Sequence, residues 1–264
     1  MKKLVLALAA LAAFTGSASA ADLAARPYTK APPPVMAPAY NWTGFYLFGG
    51  GGYGLWEAET STINPVTGVC VLCVEQRQGG KGWFGTVGGG FDWQFGGSWV
   101  AGVFADAQFG DIRGTIQDQG PFFAGREKLR TSWAAGARIG YLVAPNVLTY
   151  VNGGYSGSDW SGTNMVTTFA GAPTSFTTPT FRRDGWFVGG GVENSLNFFG
   201  WNAPGWFWKT EYRVARYESI NIPDTSITPP AFQNSIAFRP TVQTISTSIV
   251  YRFNWGGAPL LAKY

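Results

Sequence analysis

From Trp42 onward apolar and polar residues alternate, with no helical period, and this alternation limits what the chain can fold into. Alternate residues of an extended strand point to opposite sides. A period of two therefore predicts strands with one apolar and one polar face. Eight such stretches are legible, running roughly over 43–57, 81–94, 98–111, 127–143, 147–159, 182–195, 205–219 and 240–254. Their connections differ in length. Phe95-Gly96-Gly97 and Ala144-Pro145-Asn146 are tight turns by their composition, and the stretch around Phe199 to Pro204 is somewhat longer. The other four connections, about fifteen to over twenty residues each, are rich in Thr, Ser, Pro and Asn. Short turns on one side and long loops on the other predict an all-β fold, an eight-stranded antiparallel up-and-down barrel that crosses a membrane. The short turns and both termini then face the periplasm.

The two faces fix the surrounding solvent. Ile245, Ile249, Tyr251, Phe253 and Trp255 oppose Ser246, Ser248, Arg252 and Asn254. Trp206, Trp208, Tyr212 and Val214 oppose Lys209, Glu211 and Arg213. Leu129, Trp133, Ile139 and Tyr141 oppose Arg130, Ser132 and Arg138. Trp99, Val103 and Phe109 oppose Asp106 and Gln108, while Trp83, Val87, Phe91 and Trp93 oppose Thr86 and Asp92. Trp186, Val188 and Val192 oppose Glu193. The fifth strand is ambiguous in phase: Asn152 inside puts Val151 and Tyr155 outside.

A soluble barrel would turn these charges outward. Two features favour the inverse. The aromatics gather near strand ends, where Trp83, Trp93, Trp99, Trp133, Tyr141, Trp186, Trp206, Trp208, Tyr251, Phe253 and Trp255 would form girdles at the membrane interfaces. The charged face is also nearly balanced, with Asp92, Asp106, Glu193 and Glu211 against Arg130, Arg138, Lys209, Arg213 and Arg252. A closed lumen demands such balance, because an unpaired buried charge is costly. Side chains fill so small a barrel, so the expectation is a salt-bridged plug and not a wide pore. Inward glycines such as Gly50, Gly88 and Gly191 are expected to make room for the long charged side chains.

Composition agrees. Only 13% of residues are charged and 16% are aromatic, against about 25% charged in typical soluble domains. Residues 1–20 read as a secretory signal peptide: Lys2 and Lys3, an apolar run from Leu4 to Phe14, then Ala18-Ser19-Ala20. Residues 21–41 form an Ala/Pro-rich periplasmic tail, and 42–264 form the barrel. No Lys/Arg stripe points to nucleic acid. Histidine is absent from all 264 residues, which removes the commonest general base, zinc ligand and haem ligand. No catalytic residue, metal ligand or cofactor is therefore expected. Cys70 and Cys73 are the disulfide candidate of an exported chain, with a reactive thiol pair as the alternative.

Several stretches carry a family resemblance: Asn41-Trp42-Thr43-Gly44-Phe45-Tyr46 at the opening, Phe91-Asp92-Trp93-Gln94, and Tyr251-Arg252-Phe253-Asn254-Trp255-Gly256-Gly257 followed by Ala262-Lys263-Tyr264. Ala21-Asp22-Leu23 with a Lys-Ala-Pro tail completes the set. The pattern resembles the small porin-like outer-membrane proteins of alphaproteobacteria, the outer-membrane immunogenic protein group. The resemblance implies an OmpA-like eight-stranded barrel in the Gram-negative outer membrane, abundant as a surface antigen and supporting envelope integrity. Porin activity and haem binding are credited to some members. Phe104 stands where the resemblance leads one to expect a glutamate. The implied partners are outer-membrane lipid and the β-barrel assembly machinery, whose aromatic signal falls at Tyr251, Phe253 and Trp255. Lipopolysaccharide or a host surface are further candidates. A structural and surface-interaction role, a passive channel for small solutes and loop-mediated ligand binding are the functions in view.

Overall fold

The computed structural model describes residues 40–253 apart from 119–122, 168–172, 201–202 and 228–229, and without the side chains of several residues flanking these gaps and of 72–74 and 198–199. The signal segment, most of the tail, Asn254 and Trp255 lie outside the described residues. The strands are β1 (Gly44–Ile63), β2 (Cys70–Phe95), β3 (Trp99–Asp118), β4 (Phe123–Ala144), β5 (Val147–Trp160), β6 (Thr163–Thr167), β7 (Pro173–Thr178), β8 (Phe181–Ser195), β9 (Trp206–Tyr217), β10 (Ile220–Ile227) and β11 (Pro230–Phe253). A short 3-10 turn, Leu196–Phe199, leads from β8 towards β9.

Eight strands, β1-β2-β3-β4-β5-β8-β9-β11, pair antiparallel, and β11 returns to β1. Closure leaves no free edge. All eight expected strands are present, but several run farther than their sequence pattern suggested. β1 to β4 are 20, 26, 20 and 22 residues long, about twice the 9–11 residues that cross a bilayer. The stretches expected to be long loops are in large part strand. At the upper end, away from the tight turns, β6, β7 and β10 take the places of β5, β8 and β9, giving a second closed ring, β1-β2-β3-β4-β6-β7-β10-β11. The Thr-rich composition read as loop is equally competent for strand once both faces find partners. Between the rings three strands break at one level, at Ser161-Gly162, Pro179-Thr180 and Glu218-Ser219.

The rings invert their faces. In the lower ring Phe45, Leu47, Trp83, Val87, Trp93, Val103, Ile139, Val151, Val188 and Ile245 are exposed outward, while Asp92, Asp106, Arg138, Glu193, Lys209, Glu211, Arg213 and Arg252 are buried inside. Asn152 is buried between exposed Val151 and Tyr155, which settles the phase of β5. The outward aromatics fall into two levels. Trp93, Trp99, Tyr141, Trp206, Trp208 and Tyr251 lie near the turns, with half-buried Phe253 beside them, and Trp83, Trp133 and Trp186 lie higher. Trp83 and Trp93 on β2 are about 25 Å apart along the barrel axis at the strand rise and tilt of such a barrel, the height of a membrane-facing apolar band.

Above that band the pattern reverses. Glu57, Glu59, Arg77, Lys81, Arg113, Arg126, Arg182, Arg216 and Arg239 project outward. Trp56, Ile112, Ile116, Leu129, Trp160, Met165, Ile222, Ile236 and Phe238 are buried inside. Trp160 is the hub, with ring centroids 5.5 Å from Trp56, 5.9 Å from Phe181 and 5.3 Å from Phe238. The upper ring is thus a water-facing barrel with an oily core, standing on a lipid-facing barrel with a charged one. Phe181, Ile222 and Ile236, which fall in stretches expected to be long loops, are buried core residues here.

Arg130 does not enter the lumen, contrary to the sequence reading. Register shifts lie between Phe109 and Ile112 on β3 and between Leu129 and Thr131 on β4. Arg130 and Thr131 both point outward, and Leu129 turns inward instead of sharing the lipid face with Trp133. A bulge of this kind switches the phase of everything beyond it.

Candidate functional site

The interior charges of the lower ring assemble into two neutral quartets. In the lower one Arg138 grips Asp92 through Nε at 2.9 Å and donates from Nη1 to Glu193 at 3.3 Å. Arg252 reaches the same two carboxylates, Asp92 at 2.8 Å and Glu193 at 2.7 Å. Each arginine thus bridges both acids. Gly102 makes room for this cluster, since a Cβ there would strike the Asp92 carboxylate. Aromatic faces complete the enclosure. Arg138 lies 4.4 Å from the Tyr46 centroid and 5.0 Å from Tyr150; Arg252 lies 4.4 Å from Trp42. Such cation–π contacts strengthen where water is excluded.

In the second quartet Arg213 holds Asp106 bidentately at 3.0 and 2.7 Å and reaches Glu211 at 2.6 Å. Glu211 also accepts from the Tyr150 hydroxyl at 2.8 Å, and Lys209 Nζ sits 3.9 Å from its carboxylate and 3.3 Å over the Phe48 ring. Tyr150 touches both quartets. Phe104, at the position where the resemblance suggested an acid, packs on Phe187 at 5.9 Å beside Arg213.

The structure therefore brings together eight of the nine charged residues named from sequence; the ninth, Arg130, is outside. Sequence reading missed the inward aromatics that wall the charges. The inward glycines carried that information, though not as expected. A Cβ on Gly88 would meet the Phe48 ring, and one on Gly191 would meet Tyr150. The glycines accommodate mainly rings, and a cross-strand glycine beside an aromatic is the pairing that could have revealed it. Cys70 is disulfide-bonded; the side chain of Cys73 lies outside the described residues.

Also unforeseen is a set of carboxyls inside the upper ring. Asp118, Glu127 and Asp224 are buried there. The Thr62 hydroxyl donates to Asp118 at 2.6 Å, and the Lys128 backbone N–H to Glu127 at 3.3 Å. Burial pushes the Glu127 carboxyl up to about 8. Burial, and then the neighbouring Asp118, push Asp224 up to about 7. Because these values lie above the unfolded ones, near 4, folding favours the protonated forms. Their support is complete below about pH 4 and is lost as pH rises through 7 to 8. The upper ring should therefore lose its near-ultraviolet circular dichroism at a lower temperature at pH 9 than at pH 5. Glu127→Gln with Asp224→Asn should flatten that difference; an unchanged pH dependence would exclude these groups as its source.

No family model matches the chain. It is 29% identical over 237 residues to the "25 kDa outer-membrane immunogenic protein" of Brucella canis and to that of Brucella melitensis, covering 84% of this chain and 87% of each relative. Among solved structures it resembles the outer membrane protein OprG from Pseudomonas aeruginosa, with a TM-score of 0.50, 9% identity, and coverage of 81% of this chain and 98% of the other. The outer membrane protease OmpT from Escherichia coli aligns with a TM-score of 0.43 and 10% identity over 83% of this chain and 99% of the other.

Proposed function

We propose that this outer-membrane β-barrel, a homologue of the Brucella outer-membrane immunogenic proteins, serves as a structural, surface-presenting element whose lumen is shut to solutes. The observation that carries the reading is the pair of neutral quartets spanning the lower barrel. Arg138 and Arg252 are each held by two acids, and packed rings occupy the space around them. Charge balance and bidentate geometry both oppose a continuous water path. The oily core of the upper ring adds a second seal.

In this reading the upper ring stands outside the cell and the tight turns face the periplasm. Lipid covers the band between the girdles, and the assembly machinery reads the outward aromatics of β11, Tyr251 and Phe253. Catalysis is left without its usual means, since the chain has no histidine to act as a base.

Planar-bilayer recording tests the seal. The wild-type monomer should show no stable large conductance. Arg138→Ala with Arg213→Ala should raise the leak, because removing both cations empties the space they fill and leaves their acids repelling one another. A stable, large, open conductance from wild type would establish the passive channel instead.

A second reading, surface contact, rests on the β1–β2 tip. Val66 and Val69 are 91% and 63% exposed in the turn closed by Asn64. Such bare valines suit contact with a host or neighbouring-cell surface.

A further inference from the structure

We infer that the outer wall of the barrel carries a phosphate-recognition site for an outer-leaflet glycolipid, centred on Lys81, Arg113 and Lys128. These side chains lie in one row across three neighbouring strands, since Lys81 pairs with Arg113 and Arg113 with Lys128. Like charges directly opposite one another destabilise a sheet. Only one carboxylate is inserted in the row: Asp111, which contacts Arg113 and lies 2.9 Å from Lys128. Lys81 makes no ion pair among the described residues. Three cations, against Asp111 in the row and Glu57 beside it, leave a net positive charge.

The wall beside the row is hollow. Gly79 offers no side chain on that face, and Leu55, Glu57, Lys81, Arg113, Thr115 and Gln243 surround a depression of about 420 Å³. Its level identifies the occupant. Trp83, the next outward residue below Lys81 on β2, belongs to the upper girdle, and Leu55 lies directly across from Lys81. A phosphate held by the row would therefore sit at the headgroup plane, with its acyl chains against the apolar band below. The adjoining face carries Arg77, Arg216 and Arg239 around Glu57 and Glu59, and there Arg77 lies 3.9 Å from Glu59. Arg77 and Arg239 flank Glu59 in the strand register, with Arg77 four residues beyond Lys81 on β2, so they stand farther from the girdle than the row does.

The inference rests on the upper ring facing outward. An epitope inserted in the 64–69 turn and probed on intact cells tests that orientation separately, so the two ideas can fail independently. For the site, native mass spectrometry of the detergent-solubilised protein would compare diphosphorylated lipid A, its dephosphorylated counterpart and inorganic phosphate. Wild type should retain lipid A, and dephosphorylation should weaken binding about tenfold or more. The K81Q/R113Q/K128Q variant should show a comparable loss while keeping heat-modifiable migration on a gel. The R77Q/R216Q/R239Q variant, with the same charge removed, should stay within about twofold of wild type. Equal losses in the two variants would reduce the effect to net charge and overturn the site. Equal binding of the dephosphorylated lipid would overturn phosphate recognition. Displacement of lipid A by millimolar inorganic phosphate would overturn the lipid as its source.

Discussion

Glu193→Ala should destabilise the membrane barrel by about 3–5 kcal/mol, the cost of breaking a buried ion pair from one side. Glu193 is fully buried and accepts from Arg252 at 2.7 Å and Arg138 at 3.3 Å. Without it two guanidinium groups compete for Asp92 alone, and the quartet holds an uncompensated positive charge. Urea unfolding in lipid vesicles measures the effect, and the temperature at which gel mobility shifts reports it more cheaply. The companion variant E193Q/R252M removes one charge of each sign and fills the space. It should recover most of the loss, because the penalty comes from the stranded charge more than from the missing contact. Equal destabilisation by the single and double variants would show that packing, not charge balance, holds the lumen.

The parts legible in the sequence were those governed by a period of two. On β9, Phe207, Lys209, Glu211 and Arg213 share the inward face, and counting alternate residues from Trp206 is enough to place them. The same count fails on β4. Arg130 lies beside a bulge, and no composition rule marks where one extra residue enters a ladder. Above that point the environment also changes. The count assumes one solvent along the strand, whereas β1 passes from lipid beside Leu47 to water beside Glu59. Its inward face changes in the opposite sense. Tyr46 and Phe48 wall charged groups, while Trp56 packs on Trp160 and Phe238. Thr and Ser give no warning of this, since they suit loops and strands alike. The buried carboxyls of the upper ring were hidden for a related reason. Asp118 and Asp224 look like loop acids until pairing with other strands encloses them.

The division at the strand breaks predicts that the two rings fail separately. Trp160 is fully buried at the top of β5, with its indole N–H donating to Ser158 Oγ at 2.9 Å and its ring against Trp56, Phe181 and Phe238. Trp160→Ala should cost about 3–5 kcal/mol, the range for emptying a large aromatic from a packed core. Most of that loss should fall on the upper ring. The ladders below run on without it: β5 pairs with β4 and β8 from Val147 upward, and the lumen quartets touch none of its neighbours. The variant should therefore keep a shifted, heat-modifiable band while external protease cuts it faster within residues 161–180 and 218–239. Glu193→Ala should give the converse, an early loss of the heat-modifiable band. If Trp160→Ala lowered the heat-modification temperature as much as Glu193→Ala, the stacked rings would be one cooperative unit. The inverted faces would then be a single continuous core crossing from one solvent to the other, in which local damage spreads along the full length of the strands.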